Sequence, residues 1–298
     1  MGGGRLPGYQ VGKIKMRPGW AAFACTAGVE SAARKKRPLF RRSRGLEGGL
    51  MIEVEHQGRV AVLKLARDVA NALNLDHVTH LANALEEAKR DPEVHGIVLT
   101  SANDKIFSLG FDIPWLHGAT QERVGQFFRF FNRTCLDLYT SPKPTVAAIT
   151  GHAIAGGTIL ALCCDYRFIA EGRKLMGLNE IKLGVPVPYL PDCIARQLLG
   201  VVKAREVLET GDFYPAEDLL RMGMVDHVLP VEGVLPKSVE KADRLGSALK
   251  AFSLIKKNRV EVIEAQVREH DEEKARAFLE CWFSPEAQER LKEAIKKF

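Results

Sequence analysis

The feature that most constrains this chain is a strand-like run that is followed by paired glycines, which open an apolar helix. The run covers residues 144–150, and the glycines are Gly156 and Gly157. Glycine lets another atom approach the backbone closely, and the first N–H groups of a helix lack intrahelical partners. The segment therefore predicts backbone N–H donors that face an anionic ligand. Tight packing between a strand and a helix is the competing interpretation.

A carboxylate within an apolar segment follows this junction. Glu180 stands among Leu178, Ile181 and Leu183, all of them apolar. Burial in such surroundings raises the pKa of a carboxyl group toward the range that suits a general base. A position on the surface of an amphipathic element is the competing interpretation. Taken with the glycine turn, Glu180 predicts a site in which a base lies opposite an anion hole.

A second glycine turn precedes the first one in the chain. Gly110 stands in the loop that follows a strand-like run at residues 95–101. Open α/β sheets usually bind their ligands beyond the carboxyl ends of the strands. Two turns of this kind would supply two N–H donors to one ligand.

Alternation of strand and helix patterns predicts an α/β fold. From Met51 a hairpin with Gly58 near its turn leads into further elements of alternating type. These are helices at 75–90 and 122–139 and strands at 95–101, 144–150 and 165–171. Such recurrence implies parallel strands joined by right-handed crossovers. We predict a leader at residues 1–50, a core at 51–230, and a helical region at 231–298 that packs on the body or on another subunit.

The first 50 residues differ in composition from the rest. They hold 11 lysines and arginines against 2 acidic residues, and they are rich in glycine, so we expect disorder. Three interpretations remain open: a targeting presequence, a basic tail for nucleic acid or anionic lipid, and an extension upstream of a natural start at Met51. We favour the extension. A transit peptide would direct the protein to the mitochondrial matrix, whereas a bacterial chain would be cytoplasmic.

The charge distribution and the cysteine spacing limit the kinds of partner and compartment that we expect for this chain. The net charge of +6 comes from the leader, because residues 51–298 hold 32 basic and 35 acidic residues. We therefore expect no nucleic-acid partner. No apolar run reaches the about 20 residues of a membrane span. The six cysteines show no CxxC spacing and predict buried thiols in a reducing compartment, and the histidines show no metal-ligand spacing.

Several motifs together resemble one family. Phe107, Ser108, Gly110 and Asp112 match an FSxGxD element, and residues 151–157 match GHAxxGG. Residues 71–74 and 216–230 match as well. In this order they resemble the crotonase (enoyl-CoA hydratase/isomerase) superfamily over residues 51–298. The resemblance implies a ClpP-like spiral of ββα turns with a C-terminal helical trimerisation region. It further implies an acyl-CoA substrate, a homotrimer or dimer of trimers, and no cofactor beyond the coenzyme A of the substrate.

The resemblance also implies roles for single residues. Phe111 and Gly156 would donate the oxyanion-hole N–H groups, and Glu180 would be the catalytic base. Substrate contacts would come from the residues around these positions: Phe107, Ser108, Gly110, Gly157 and Ile159. His152, Asp112 and Asp165 we interpret as structural.

The carboxylates separate the branches of the family. Hydratases carry a glutamate where this chain has Ile159, and dienoyl-CoA isomerases carry an aspartate where it has Pro188. The remaining single glutamate, in the sequence GLNE, is most similar to the Δ3,Δ2-enoyl-CoA isomerase branch. Hydration, thioester hydrolysis, decarboxylation, RNA binding and a catalytically inactive homologue remain alternatives.

Overall fold

Two β-sheets and the helices around them make up the structure, a computed structural model that describes residues 40–45 and 49–296. The strands within this part are β1 (Phe40–Arg44), β2 (Leu50–Gln57), β3 (Val60–Leu65), β4 (Gly96–Ser101), β5 (Ile106–Ser108), β6 (Thr145–Ile149), β7 (His152–Ile154), β8 (Tyr166–Ala170), β9 (Leu175–Gly177), β10 (Tyr214–Pro215) and β11 (His227–Leu229). The larger sheet has the order β1-β2-β3-β4-β6-β8-β11, and the smaller one β10-β9-β7-β5.

Helices connect most of these strands. They are α1 (Leu75–Arg90), α2 (Ile113–His117), α3 (Gln121–Tyr139), α4 (Gly156–Leu162), a 3-10 helix (Glu180–Leu183), α5 (Tyr189–Thr210), α6 (Ala216–Met222), α7 (Val231–Gly246), α8 (Leu249–Trp282) and α9 (Pro285–Ile295). Asn74 caps α1 by accepting a hydrogen bond from the N–H of His77, and Thr120 caps α3 in the same way. These capped helices confirm the predicted helical segments.

The larger sheet is antiparallel at one edge and parallel beyond it. Strands β1, β2 and β3 pair antiparallel, whereas β3, β4, β6, β8 and β11 pair parallel. Every residue of β4 and β6 is buried because helices cover both faces. This arrangement confirms the parallel strands predicted from the strand and helix alternation.

Part of the predicted leader belongs to the larger sheet. Strand β1 (Phe40–Arg44) pairs with β2, with Phe40 opposite Glu55 and Arg44 opposite Leu50. For these five residues the prediction of disorder is wrong, because β2 has a free edge that they cover. The other predictions about the leader concern residues 1–39 and 46–48, which lie outside the described residues.

Two apolar clusters cover the faces of the larger sheet. On one face, helix α7 contributes Val234 and Ala242, which pack against Val62, Val98 and Val146. On the other face, α1, α3 and α8 form the larger cluster. Among the described residues, every helix is too short or too polar to cross a membrane.

The C-terminal helices pack on the body of the same chain. Phe278 and Trp282 of α8 are buried, and the ring of Phe278 stacks on Phe128 of α3 at a centroid distance of 3.8 Å. Lys256 donates to Asp165 at 2.9 Å, and Arg259 pairs with the other carboxylate oxygen of Asp165. Both residues of the buried Lys256–Asp165 pair are nearly inaccessible. Packing of this region on the body was one of the two predicted possibilities.

Candidate active site

The two glycine turns meet in space. Gly110 has a φ of +89°, and a Cβ atom added to it would lie 2.8 Å from the amide nitrogen of Gly156. Glycine is required there because an L side chain disfavours this φ and real Cβ atoms do not approach so closely. Around the turn, Leu73 donates to the carbonyl of Gly110 and accepts from the N–H of Asp112. These bonds fix the peptide that carries the N–H of Phe111.

Two backbone donors are left free by this arrangement. Within the described residues, the N–H groups of Phe111 and Gly156 donate to no other protein group. Ala155, which precedes Gly156, has a φ of 47° and a ψ of −117°. A non-glycine residue in this region stores strain of about 1 to 3 kcal/mol and persists only when its surroundings hold it. The hydrogen bond from the N–H of Ala155 to the carbonyl of Gly177, at 2.9 Å, helps to keep Ala155 in this conformation.

Glu180 is the first residue of the 3-10 helix and is only 6% exposed. Burial raises the pKa of its carboxyl group to about 7, and a hydrogen bond from its own backbone N–H opposes this rise. Among the described residues, its Oε2 atom has no hydrogen-bond partner. A carboxyl group with such a pKa exchanges a proton readily near neutral pH.

A cavity of about 170 Å³ joins these groups. Phe111, Gly156 and Glu180 all line it, so the structure brings together the three predicted catalytic residues. The remaining lining residues are Leu109, Ile113, Ile154, Ala155, Asn179, Leu183, Val185, Phe278, Trp282 and Ala294. Glu180 is the one carboxylate among the described residues of this lining.

The five predicted substrate-binding residues are not part of the cavity lining. They are Phe107, Ser108, Gly110, Gly157 and Ile159. The hydroxyl of Ser108 donates to the carbonyl of Asn71 and accepts from the N–H of Gly110. A Cβ atom on Gly157 would lie 2.3 Å from the carbonyl oxygen of Ser108. These contacts show that Ser108 and Gly157 shape the two turns, and direct contact of the five residues with a substrate stays a prediction.

Three polar residues have the structural roles that were predicted for them. Asp112 caps α2 and pairs with Arg67 at 2.7 Å. His152 accepts a hydrogen bond from the N–H of Leu175 at 3.1 Å, and burial lowers its pKa. Asp165 joins the start of β6 to α8 by accepting bonds from Thr145 and Lys256.

Sequence reasoning missed part of the site. Asn179, whose Oδ1 atom is buried without a partner in the described part of the chain, lies next to Glu180 in the lining. Phe278 and Trp282 belonged to the apolar pattern of the C-terminal region, which indicated burial but not a place beside Glu180. Ala294 carries no signal in the sequence. Within the described ranges, no cluster of His, Cys, Asp or Glu side chains is arranged to hold a metal ion.

The chain is similar to proteins of known family. The enoyl-CoA hydratase/isomerase family model matches residues 55–298. Mitochondrial enoyl-CoA delta isomerase 1 from Mus musculus is 34% identical over 190 residues, which are 63% of this chain and 66% of that protein, just under two thirds of its length. The Homo sapiens protein of the same name is 31% identical over 233 residues, covering 78% of this chain and 71% of its own length.

Hydratases and a solved isomerase structure are also similar. Crotonyl-CoA hydratase from Syntrophomonas wolfei is 31% identical over 195 residues, which are 65% of this chain and 75% of that protein. The crystal structure of human mitochondrial delta3-delta2-enoyl-CoA isomerase superimposes with a TM-score of 0.80 at 27% identity, covering 83% of this chain and 97% of that one. The sheets and helices described above form the predicted crotonase fold, and the chain belongs to the enoyl-CoA hydratase/isomerase family.

Proposed function

We propose that this protein is a Δ3,Δ2-enoyl-CoA isomerase that moves the double bond of a 3-enoyl-CoA to give the 2-trans-enoyl-CoA. One observation carries the proposal. The Glu180 carboxyl group, with its pKa of about 7, lines the same cavity as the free N–H groups of Phe111 and Gly156. A base opposite two oxyanion donors is what proton transfer next to a thioester carbonyl requires.

In the first step the thioester oxygen accepts hydrogen bonds from Phe111 and Gly156. The carboxylate of Glu180 removes a proton from carbon 2 of the acyl group. The electrons of that C–H bond form the double bond between carbons 1 and 2, and the carbonyl π electrons move to the oxygen. The resulting dienolate carries its negative charge where the two N–H groups stabilise it.

In the second step the oxygen re-forms the carbonyl and the double bond settles between carbons 2 and 3. The electrons of the former double bond between carbons 3 and 4 take the proton back from Glu180 at carbon 4. The carboxylate is regenerated, and the substrate has neither gained nor lost atoms or electrons. One carboxylate therefore serves as base and then as acid, and no cofactor enters the reaction.

The expected lowering of the activation barrier is large enough for this movement of the double bond. One oxyanion-hole donor typically lowers a barrier by about 3 to 4 kcal/mol. A well-placed general base contributes a factor of about 10² to 10⁴ in rate. A pKa near the working pH lets the same carboxyl group accept and return the proton without a large cost in either direction.

Hydration is less well supported, although hydratases are among the relatives. Addition of water needs groups that activate the water and protonate the substrate. Ile159 stands where hydratases carry a glutamate, and it is 1% exposed within α4. With Glu180 as the one lining carboxylate in the described part of the chain, isomerisation is the reaction that the site supports best.

Product analysis tests the reaction type. Purified protein is supplied separately with a 3-enoyl-CoA and with a 2-trans-enoyl-CoA, and the products are separated by chromatography. We expect conversion of the first to the 2-trans isomer and little hydration of the second. Formation of 3-hydroxyacyl-CoA as the main product would overturn the proposal in favour of a hydratase, and release of free coenzyme A would overturn it in favour of a hydrolase.

We also propose that the chain assembles as a homotrimer or a dimer of trimers. Exposed apolar side chains on α5 and α8 support an assembly: Val201, Val202, Leu254, Ile255 and Val262. Multi-angle light scattering would give three or six times the chain mass, and a monomer at micromolar concentration would contradict this part of the proposal.

The proposed subcellular location depends on whether residues 1–50 act as a transit peptide. Similar isomerases include mitochondrial proteins, and the basic, acid-poor residues 1–50 have the composition of a transit peptide. Fusion of residues 1–50 to a fluorescent protein would send it to mitochondria if they are a transit peptide. Diffuse fluorescence would contradict a matrix location and favour the cytoplasm.

A further inference from the structure

We infer that this enzyme acts on short acyl chains of about four to six carbons, and that Trp282 and Ala294 of the C-terminal helices set this limit. The inference rests on the proposed function, because it assumes that the thioester oxygen lies at the N–H groups of Phe111 and Gly156. The acyl group then occupies the cavity that these residues share with Glu180.

The size of the cavity decides how much of an acyl chain it holds. Its volume is about 170 Å³. An engineered apolar cavity of about 150 Å³ in another protein binds benzene, which has six carbon atoms. The cavity of this protein therefore accommodates about six carbons, and a chain of twelve needs about twice the space.

The lining suits hydrocarbon rather than a polar group. Apart from Asn179 and Glu180, the side chains that line the cavity are aliphatic or aromatic: Leu109, Phe111, Ile113, Ile154, Ala155, Leu183, Val185, Phe278, Trp282 and Ala294. Each methylene moved from water into such surroundings contributes a factor of about four to affinity. Affinity is therefore expected to rise with chain length until the cavity is full.

The wall formed by the C-terminal helices is held in place. Phe278 stacks on Phe128 at 3.8 Å and lies 6.0 Å from the ring of Trp282. The bonds from Lys256 and Arg259 to Asp165 tie the N-terminal half of α8 to the core. Longer acyl chains would have to displace these contacts, because packed interiors do not yield without cost.

Trp282 fills space without holding a polar contact through its ring nitrogen. Its side chain is 1% exposed, and its Nε1 atom has no hydrogen-bond partner in the described part of the chain. Replacement by Phe therefore removes ring volume and breaks no hydrogen bond of the indole. Ala294 is partly buried near the end of α9, where a larger side chain would reduce the cavity.

Binding of saturated acyl-CoA thioesters tests the inference without any need for turnover. Isothermal titration with butyryl-, hexanoyl-, octanoyl- and dodecanoyl-CoA gives the affinity for each chain length. We expect affinity to rise about fourfold per methylene from four to six carbons. Dodecanoyl-CoA should bind about tenfold more weakly than hexanoyl-CoA. Equal or tighter binding of dodecanoyl-CoA would overturn the inference.

Three variants assign the limit to the C-terminal helices. Trp282→Ala should raise the affinity for dodecanoyl-CoA, relative to that for hexanoyl-CoA, about tenfold. Trp282→Phe should raise the affinity for octanoyl-CoA, relative to that for hexanoyl-CoA, by a smaller factor. Ala294→Leu should weaken hexanoyl-CoA binding about tenfold and butyryl-CoA binding less. Phe168→Ala, which truncates a buried ring in the cluster on the α7 side of the larger sheet, should leave these ratios unchanged.

The test remains decisive even if one of the variants fails to fold. If Trp282→Ala does not fold, Trp282→Phe and Ala294→Leu still report on the limit, and unchanged ratios in both would overturn it. Failure of the inference is distinguishable from failure of the proposed function. Isomerisation without the expected order of affinities overturns the chain-length limit alone. The expected order of affinities without isomerisation overturns the proposed reaction alone.

Discussion

The two sides of the cavity are built in different ways. On the core side, Phe111 and Gly156 contribute backbone N–H groups from tight turns, and Glu180 contributes the one lining carboxylate within the described residues. On the C-terminal side, Phe278, Trp282 and Ala294 contribute only side-chain bulk. We propose that the core side determines the chemistry and that the C-terminal side determines which acyl group fits. Substitutions on the two sides should have separable effects.

The largest effect is expected where α8 is tied to the core. Asp165→Ala leaves Lys256, which is 2% exposed, as an uncompensated buried charge, and it removes the acceptor of Thr145. We expect the free energy of unfolding in urea to fall by about 3 to 5 kcal/mol. Asp218→Ala, which breaks an exposed pair with Arg221, should change it by less than about 1 kcal/mol. Equal losses would mean that the C-terminal side is not anchored by Asp165.

Gly110→Ala should damage the core side selectively. The added Cβ atom would meet the amide nitrogen of Gly156 at 2.8 Å, so the two oxyanion donors would move apart. We expect kcat for isomerisation to fall by about 10² to 10³. Gly58→Ala is the matched control, because Gly58 also has a positive φ of 60° but would meet no atom within 4 Å. If both variants keep the kcat of the wild type, the turns do not supply the donors.

Glu180→Gln should stabilise the protein at alkaline pH. Folding raises the pKa of Glu180 from 4.5 to about 7, so the folded state binds more protons than the unfolded state between these values. Stability of the wild type therefore falls as pH rises through this window, by about 3 kcal/mol in total. A neutral side chain escapes this loss, so the variant should be the more stable protein at pH 8.

Urea unfolding of wild type and Glu180→Gln at pH 4.5 and pH 8 measures this effect. The difference in stability should appear at pH 8 and be small at pH 4.5. If wild type and variant differ in their free energy of unfolding by the same amount at both pH values, folding does not raise the pKa of Glu180.

The smallest effect concerns the pH dependence of the rate. Since the base must be deprotonated in the free enzyme, kcat/KM should fall about tenfold per pH unit below the pKa of about 7 and level off above it. Trp282→Phe should leave this profile in place, because it changes only the C-terminal side. A profile that is flat from pH 5 to pH 8 in the wild type would contradict the role of Glu180.

Much of the core side could be predicted from the sequence. The helical periodicity of the apolar residues predicted the limits of helix α1 (Leu75–Arg90), and the glycines marked both turns. Strands β5, β7 and β9 have three residues each, which is too short for a periodic pattern. The conformation of Ala155 carries no sequence signal either, because alanine rarely adopts a positive φ.

The C-terminal side could be predicted only in part. The apolar pattern of α8 required burial, but a pattern along one helix does not say which part of the fold it meets. Strand β1 was missed because its basic composition resembles that of the residues before it, and its stability comes from pairing with the edge of β2. The placement of α8 and the formation of β1 both depend on tertiary contacts, which a local sequence pattern does not contain.

Isomerisation by Glu180→Gln decides whether Glu180 is the catalytic base. Wild type, Glu180→Gln and the control Glu217→Gln, which alters an exposed carboxylate of α6, are supplied with a 3-enoyl-CoA, and acyl-CoA binding is measured in parallel. We expect Glu180→Gln to lose isomerisation by a factor of at least about 10² while it still binds acyl-CoA, and we expect the control to behave as wild type. Turnover at the wild-type rate by Glu180→Gln would contradict this role of Glu180.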